Sequence, residues 1–253
     1  MNTQIQITAK ILLQIGKLLL QHGAETEVVE IGIKRAAKNL GYETIEVLVL
    51  PYTIMVSITN DAQCITKMQR AERQDVNFTA VDIVEKIIAN INVETNLDEL
   101  LTRLHDEQNL STMYPYQLRR LMAGLGCASF SLLFGGDAYI FIVTFLASFI
   151  GFSLNTMLLK RFFNPFLVVI AVSFTTALIA GLLTFSTVDS NIAISSSILF
   201  LVPSVAFINS VNDFIKRHYT NGLTRGIRGV MISFAIAIGM FMALHILGIE
   251  RFI

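Results

Sequence analysis

The chain has 253 residues, 53% of them hydrophobic and only 15% charged, with no Trp and a mean hydropathy of +0.61. That balance excludes an ordinary water-soluble domain and points to a membrane protein. The neutral net charge hides two unlike halves: residues 1–117 carry 10 basic and 15 acidic side chains and read as water-soluble, whereas residues 118–253 carry 9 and 4 and read as membrane-embedded.

The opening run ILLQIGKLLL is not read as a signal peptide, because Gln14 and Lys17 interrupt it and no small-residue cleavage site follows. Ile11, Leu12, Ile15, Leu18 and Leu19 recur at helical spacing over residues 4–22, and Gly23 is a helix stop. A second helix is expected from about Thr26 as N-cap, with Glu27 and Glu30 early, where the helix dipole favours acids. Val29, Ile33, Ala37 and Leu40 form its apolar stripe, and Gly41 ends it. IEVLVLPYTIMVSIT is β-branched and broken by Pro51, which predicts two short strands or one bulged strand. A turn at Asn60-Asp61 then leads into CITKMQR and makes a hairpin. Helices over 78–90 and 97–107 close an α+β domain of residues 1–115, large enough for its own core.

This domain carries no G-x-S-x-G and no phosphate-loop glycines, so no enzyme is read from it and no cofactor is expected. The four His are scattered and Cys64 and Cys127 lack ligand spacing, which gives no metal site and two free thiols. Its net acidity argues against nucleic acid. The cluster of Glu25, Thr26 and Glu30 is its sharpest polar feature, and acids stabilising a helix N-terminus account for it.

The second half predicts an α-helical membrane domain, residues 118–253, with five spans of roughly 20 apolar residues each. They fall at about 118–134, 139–159, 166–186, 192–214 and 229–247. Turns lie at Gly135-Gly136-Asp137, at 160–164 before Pro165, at 187–191, and in the polar run 216–228. Arg119, Arg120, Lys160, Arg161, Lys216, Arg217, Arg225 and Arg228 all fall on one face, against Arg251 on the other. Positive charge stays inside, so the N-terminal domain is expected in the cytoplasm and the C-terminus outside.

Polar residues within the spans mark a candidate path. Pro203 interrupts the fourth span, which is either a packing kink or the start of a half-helix whose positive end faces a substrate carboxylate. Asn209, Asn212 and Asp213 share one helix face. Two readings of Asp213 stand: a functional acid within a span, or a local ion pair with Lys216 and Arg217. Asn155, Thr175 and Thr176 are assigned to the same path, and Gly135, Gly136 and Asp137 to an outer turn.

Five motifs occur in the order LLLQHGAETEVVE, DAQCITKMQR, LFGGD, LVPSVAFINSVNDF and NGLTRG. With them the chain resembles the threonine/serine exporter family over essentially its whole length, and within it the YjjP-type branch, the larger subunit of a two-component form. Arg217 stands where that family often has Gly. The resemblance implies export across the bacterial inner membrane with a smaller YjjB-type membrane partner, in a complex open to higher oligomers. It implies a small carboxylate substrate, succinate first and threonine or serine as the alternative. It also assigns Gly222 and Arg225 to a cytoplasmic mouth, with gating extended to Glu25, Thr26 and Glu30. A membrane-tethered regulatory or sensor protein is the competing class, and five spans exceed what a tether needs.

Overall fold

The computed structural model describes residues 2–60, 63–71, 76–106, 114–161, 163–184 and 189–248. The expected turn at Asp61, the helix end at Glu107, the turn residue Thr187 and the C-terminal Glu250 and Arg251 lie outside these residues. The chain divides into two compact units, Met1–Met113 with Val205–Gly226, and Tyr114–Ser204 with Ile227–Ile253.

In the first unit, α1 (Asn2–Gln21) is the central element. Its side chains from Ile11 to Leu20 are buried on nearly every face, which is what an all-round apolar helix requires. Three antiparallel strands, β1 (Ile45–Leu50), β2 (Thr53–Asn60) and β3 (Gln63–Arg70), pair in sequence order. Pro51 and Tyr52 form the tight turn between Leu50 and Thr53, so the alternative of one bulged strand is not realised. Side chains alternate faces along a strand, and Ile54, Val56 and Ile58 bury on the α1 side while Leu48 and Met68 stay exposed. The helices α2 (Thr26–Asn39), α3 (Phe78–Asn90) and α4 (Leu97–Asp106) complete this core through Val29, Ile33, Val84, Ile88 and Leu104.

Two positions expected from sequence shift in α2. The N-cap is Glu25, whose side chain makes no cap hydrogen bond, and Thr26 is the first helical residue, fully buried. The acid that helix dipoles favour is thus committed to another partner.

The second unit contains α5 (Tyr116–Leu133), α6 (Ala138–Lys160), α7 (Pro165–Leu183) and α8 (Ser190–Ser197). It also holds a 3-10 turn at Leu199–Leu201 and the larger part of α10 (Tyr219–Leu247). Asp137 caps α6 by accepting from the Ile140 N–H at 2.8 Å, and Asn164 caps α7, whose first residue is Pro165. Gly135 has φ +92 in the intervening turn, where a side chain would be strained. Small residues set the packing: a Cβ at Gly239 would collide with the Ile170 carbonyl oxygen.

Among the described residues, three helices are long and apolar enough to cross a bilayer, namely α6, α7 and α10. A fourth crossing is counted if α8 with its 3-10 turn and α9 (Ser204–Ile215) form one broken span. The fourth expected span is therefore two short helices. Pro203 lacks an N–H, and the Leu199 carbonyl that a helix would offer it is taken by Val202 at 3.1 Å. The expected polar loop at 216–228 is corrected as well, because α10 begins at Tyr219 and carries Gly222 and Arg225 within its first two turns. At 1.5 Å per residue its 29 residues reach roughly 43 Å, beyond the roughly 30 Å hydrocarbon core.

Candidate functional site

α9 is amphipathic with its polar side inward. Asn209, Ser210 and Asp213 are buried, while Ile208, Val211, Phe214 and Ile215 are 41–74% exposed. Such a helix fits a protein interior on one side and lipid on the other. It ends in a Schellman turn, with His218 N–H to the Asp213 carbonyl at 2.8 Å and Arg217 N–H to that of Phe214 at 3.1 Å. Arg217 therefore takes φ 66, a left-handed angle usually reserved for Gly.

The buried face of α9 meets the segment that joins α1 to α2. Gly23, at φ +87, ends α1 in a second Schellman turn, with Ala24 N–H bonded to the Leu19 carbonyl. The carbonyls beyond that turn are then served by side chains: Asn209 Nδ2 donates to Gly23 O at 2.9 Å, and Arg225 Nη2 donates to Ala24 O at 3.0 Å. On the other side, the Thr26 N–H at the start of α2 donates to Asp213 Oδ1 at 3.3 Å. A carboxylate thus sits at the positive end of one helix and a guanidinium at the negative end of another.

Asp213 is fully buried and Arg225 is 8% exposed, and Asp213 Oδ2 lies 3.2 Å from Arg225 Nη1. Among the described residues, neither atom has a well-directed hydrogen bond, so this contact is a buried ion pair held by charge rather than by direction. Of the two readings of Asp213, the local ion pair with Lys216 and Arg217 does not form among the described residues. Lys216 turns to Glu25 at 2.8 Å and Glu27 at 2.6 Å, and Asn212 Nδ2 donates to the second Glu25 oxygen at 2.7 Å. The Lys216 ammonium, aided by Asn212 and opposed by burial, holds the Glu25 carboxyl below its ordinary value. In return Glu25, then Glu27, pushes the Lys216 ammonium up.

Asn221, 3% exposed, was not singled out from sequence. Its Nδ2 donates to Thr26 Oγ1 and to the Val49 carbonyl, both at 2.9 Å, and ties α10 to α2 and β1. Ser210 Oγ donates to Gly222 O at 2.7 Å, and a Cβ at Gly222 would lie 3.0 Å from the Ser210 carbonyl. Had 219–228 been read as helical, Asn221 and Arg225 would have appeared one turn apart on one face.

The structure therefore brings Glu25, Thr26, Asn209, Asn212, Asp213 and Arg225 into one network, with Gly222 in its packing. Glu30 pairs instead with Lys34 along α2. Asn155, Thr175 and Thr176 belong to the other unit: Thr175 Oγ1 donates to Ala171 O, and Thr176 Oγ1 is fully buried beside Gly151. The geometry couples helix ends through fixed opposite charges.

Three of the five motifs, around residues 18–30, 201–214 and 221–226, converge on this network. The family described as "Putative threonine/serine exporter" (ThrE) matches residues 10–247. The chain belongs to the threonine/serine exporter family. It is 31% identical over 99% of its length to the "Probable succinate transporter subunit YjjP" of Escherichia coli K12, covering 98% of that protein. It is 30% identical over 98% of its length to the protein of the same name in Klebsiella aerogenes, of which it covers 97%. An uncharacterized protein of Haemophilus influenzae is 32% identical over 51% of the chain and 43% of its own length. No solved structure matches significantly. Family membership and the apolar helices make the chain a multi-pass membrane transport protein rather than an enzyme.

Proposed function

We propose that the chain is the larger subunit of a two-component exporter of small carboxylates, succinate first, acting with a smaller YjjB-type membrane partner. The observation that carries this reading is its near-full-length similarity to two proteins named as succinate transporter subunits. In this reading it lies in the bacterial inner membrane with residues 1–115 as a cytoplasmic domain and the C-terminus outside. Basic residues clustered on one side of the spans favour that orientation. We count α5 as a fifth crossing, because it is 18 residues long and packs on α6 with a Phe145 ring atom 3.1 Å from the position of a Gly124 Cβ.

The network is assigned to gating. Arg225 and Lys216 are the positive charges that a dicarboxylate needs, and Asp213, Glu25 and Glu27 already occupy them. A substrate carboxylate exchanges with these internal anions and loosens α9 and α10 from the helix ends at residues 23–26. Pro203, Asn155, Thr175 and Thr176, which belong to the other unit, are assigned in this reading to a substrate path within it. A threonine or serine substrate is the second reading, favoured by the family description and by Asp213 as a partner for an ammonium.

Uptake of labelled succinate, threonine and serine into inverted vesicles, with and without the partner, tests the proposal. Succinate uptake only when both subunits are present is the expected result. Uptake by this chain alone overturns the two-component reading, and uptake of the amino acids without succinate overturns the substrate.

A further inference from the structure

We propose that the start of α5 and the end of α6 form a binding site for the headgroup of an anionic phospholipid, an inference that rests on α6 crossing the membrane. The two helices are joined by the turn at residues 134–137, which places Tyr116 and Lys160 at the same end of the pair. At 1.5 Å per residue, the 23 residues of α6 reach roughly 34 Å, so its end stands at headgroup level. There the Tyr116 ring is near two cations of different helices, the Arg120 guanidinium at 5.6 Å and the Lys160 ammonium at 5.8 Å from its centroid. Arg120 is anchored inward, 3.9 Å from the Phe149 centroid, with its donors on Ser153 and Gln117.

Among the described residues, this arrangement has no anion paired with it. Arg119 and Arg161 adjoin Arg120 and Lys160 in the chain, neither helix contains an acidic residue, and among the described residues none of the four has a salt bridge. Arg119 and Arg120 moreover stand near the N-terminus of α5, where the helix dipole disfavours positive charge. A phosphodiester placed among them relieves both costs. Within two turns on the same helices, Leu118, Met122, Met157 and Leu159 are 38–50% exposed, an apolar surface for acyl chains that a free phosphate would not use.

Full-length protein in neutral detergent, titrated with short-chain phosphatidylglycerol, phosphatidylcholine or inorganic phosphate and followed by native mass spectrometry, tests the site. Phosphatidylglycerol is expected to bind in preference to phosphatidylcholine. Arg119→Gln with Lys160→Gln should lower its affinity roughly ten- to thirty-fold, at about fivefold per charge. Arg119→Lys with Lys160→Arg should retain binding, and Lys34→Gln with Lys38→Gln should leave it unchanged. Equal binding of the two lipids, or equal losses in both glutamine pairs, overturns the proposal. Competition by inorganic phosphate at equal affinity also overturns it, since the site would then be one for free anions.

Discussion

Asp213 and Arg225 form an ion pair at 3.2 Å in which each member also holds an end of a different helix, Asp213 the start of α2 and Arg225 the segment closing α1. Breaking a buried pair by removing one member leaves an uncompensated charge, which costs about 3–5 kcal/mol. Asp213→Ala and Arg225→Ala are each expected to lower thermal stability in detergent by that order. The double variant should lose distinctly less than the sum, and strict additivity in the cycle would show that the two charges do not interact.

The clamp of Lys216 on Glu25 and Glu27 is partly solvated, so it contributes only about 0.5–1 kcal/mol and is weakened by salt. Its pH dependence has a definite sign. Glu25 is held below its ordinary 4.5, so its contribution is present above that pH and is lost as pH falls through the depressed value. Lys216 is raised above its ordinary 10.5, so its contribution is present below that pH and is lost only as pH rises through the higher value. A stability plateau between about pH 5 and 10 is expected, with its acid limb shallower in Glu25→Gln. An unchanged acid limb, read by thermal unfolding across pH, counts against the clamp.

Asn221 is a buried amide with two acceptors on different elements, Thr26 and Val49. Asn221→Leu strands both and should cost about 1–3 kcal/mol. If unfolding midpoints stay within error of the parent, the tie is not a stabilising one.

Arg217 offers the opposite test. It occupies φ 66 at the end of α9, where an L side chain costs roughly 1–2 kcal/mol. Arg217→Gly should therefore be neutral or stabilising by up to about 1 kcal/mol after backbone entropy is counted. Gly222→Ala should destabilise through its close approach to Ser210 and Phe214, whereas Gly126→Ala, with nothing among the described residues within 4 Å, should not.

Much of this architecture follows from local pattern. The apolar period of α1, the strand run broken by Pro51, and the helix break at Pro203 are each set by residues that sit beside one another. The shared face of Asn209, Asn212 and Asp213 is equally local, because helical spacing fixes it. What covers that face is not local. Hydropathy distinguishes apolar from polar but not lipid from protein, so α9 reads as membrane throughout although its polar side packs on residues 23–26. The partner of Asp213 was missed for a related reason: spacing offered Lys216 and Arg217, while the Schellman turn at Arg217 carries the chain round and delivers Arg225. The run 216–228 looked like a loop because its glycines and charges obscured the first turns of α10.

The Asp213–Arg225 pair has a further property that follows from the helix ends it serves: it is polarised, like a keyed connector that fits one way round. An isolated ion pair tolerates exchange of its members. Here Asp213→Arg with Arg225→Asp would set a cation against the Thr26 amide and an anion against the Ala24 carbonyl, so restoring net charge would not restore the joint.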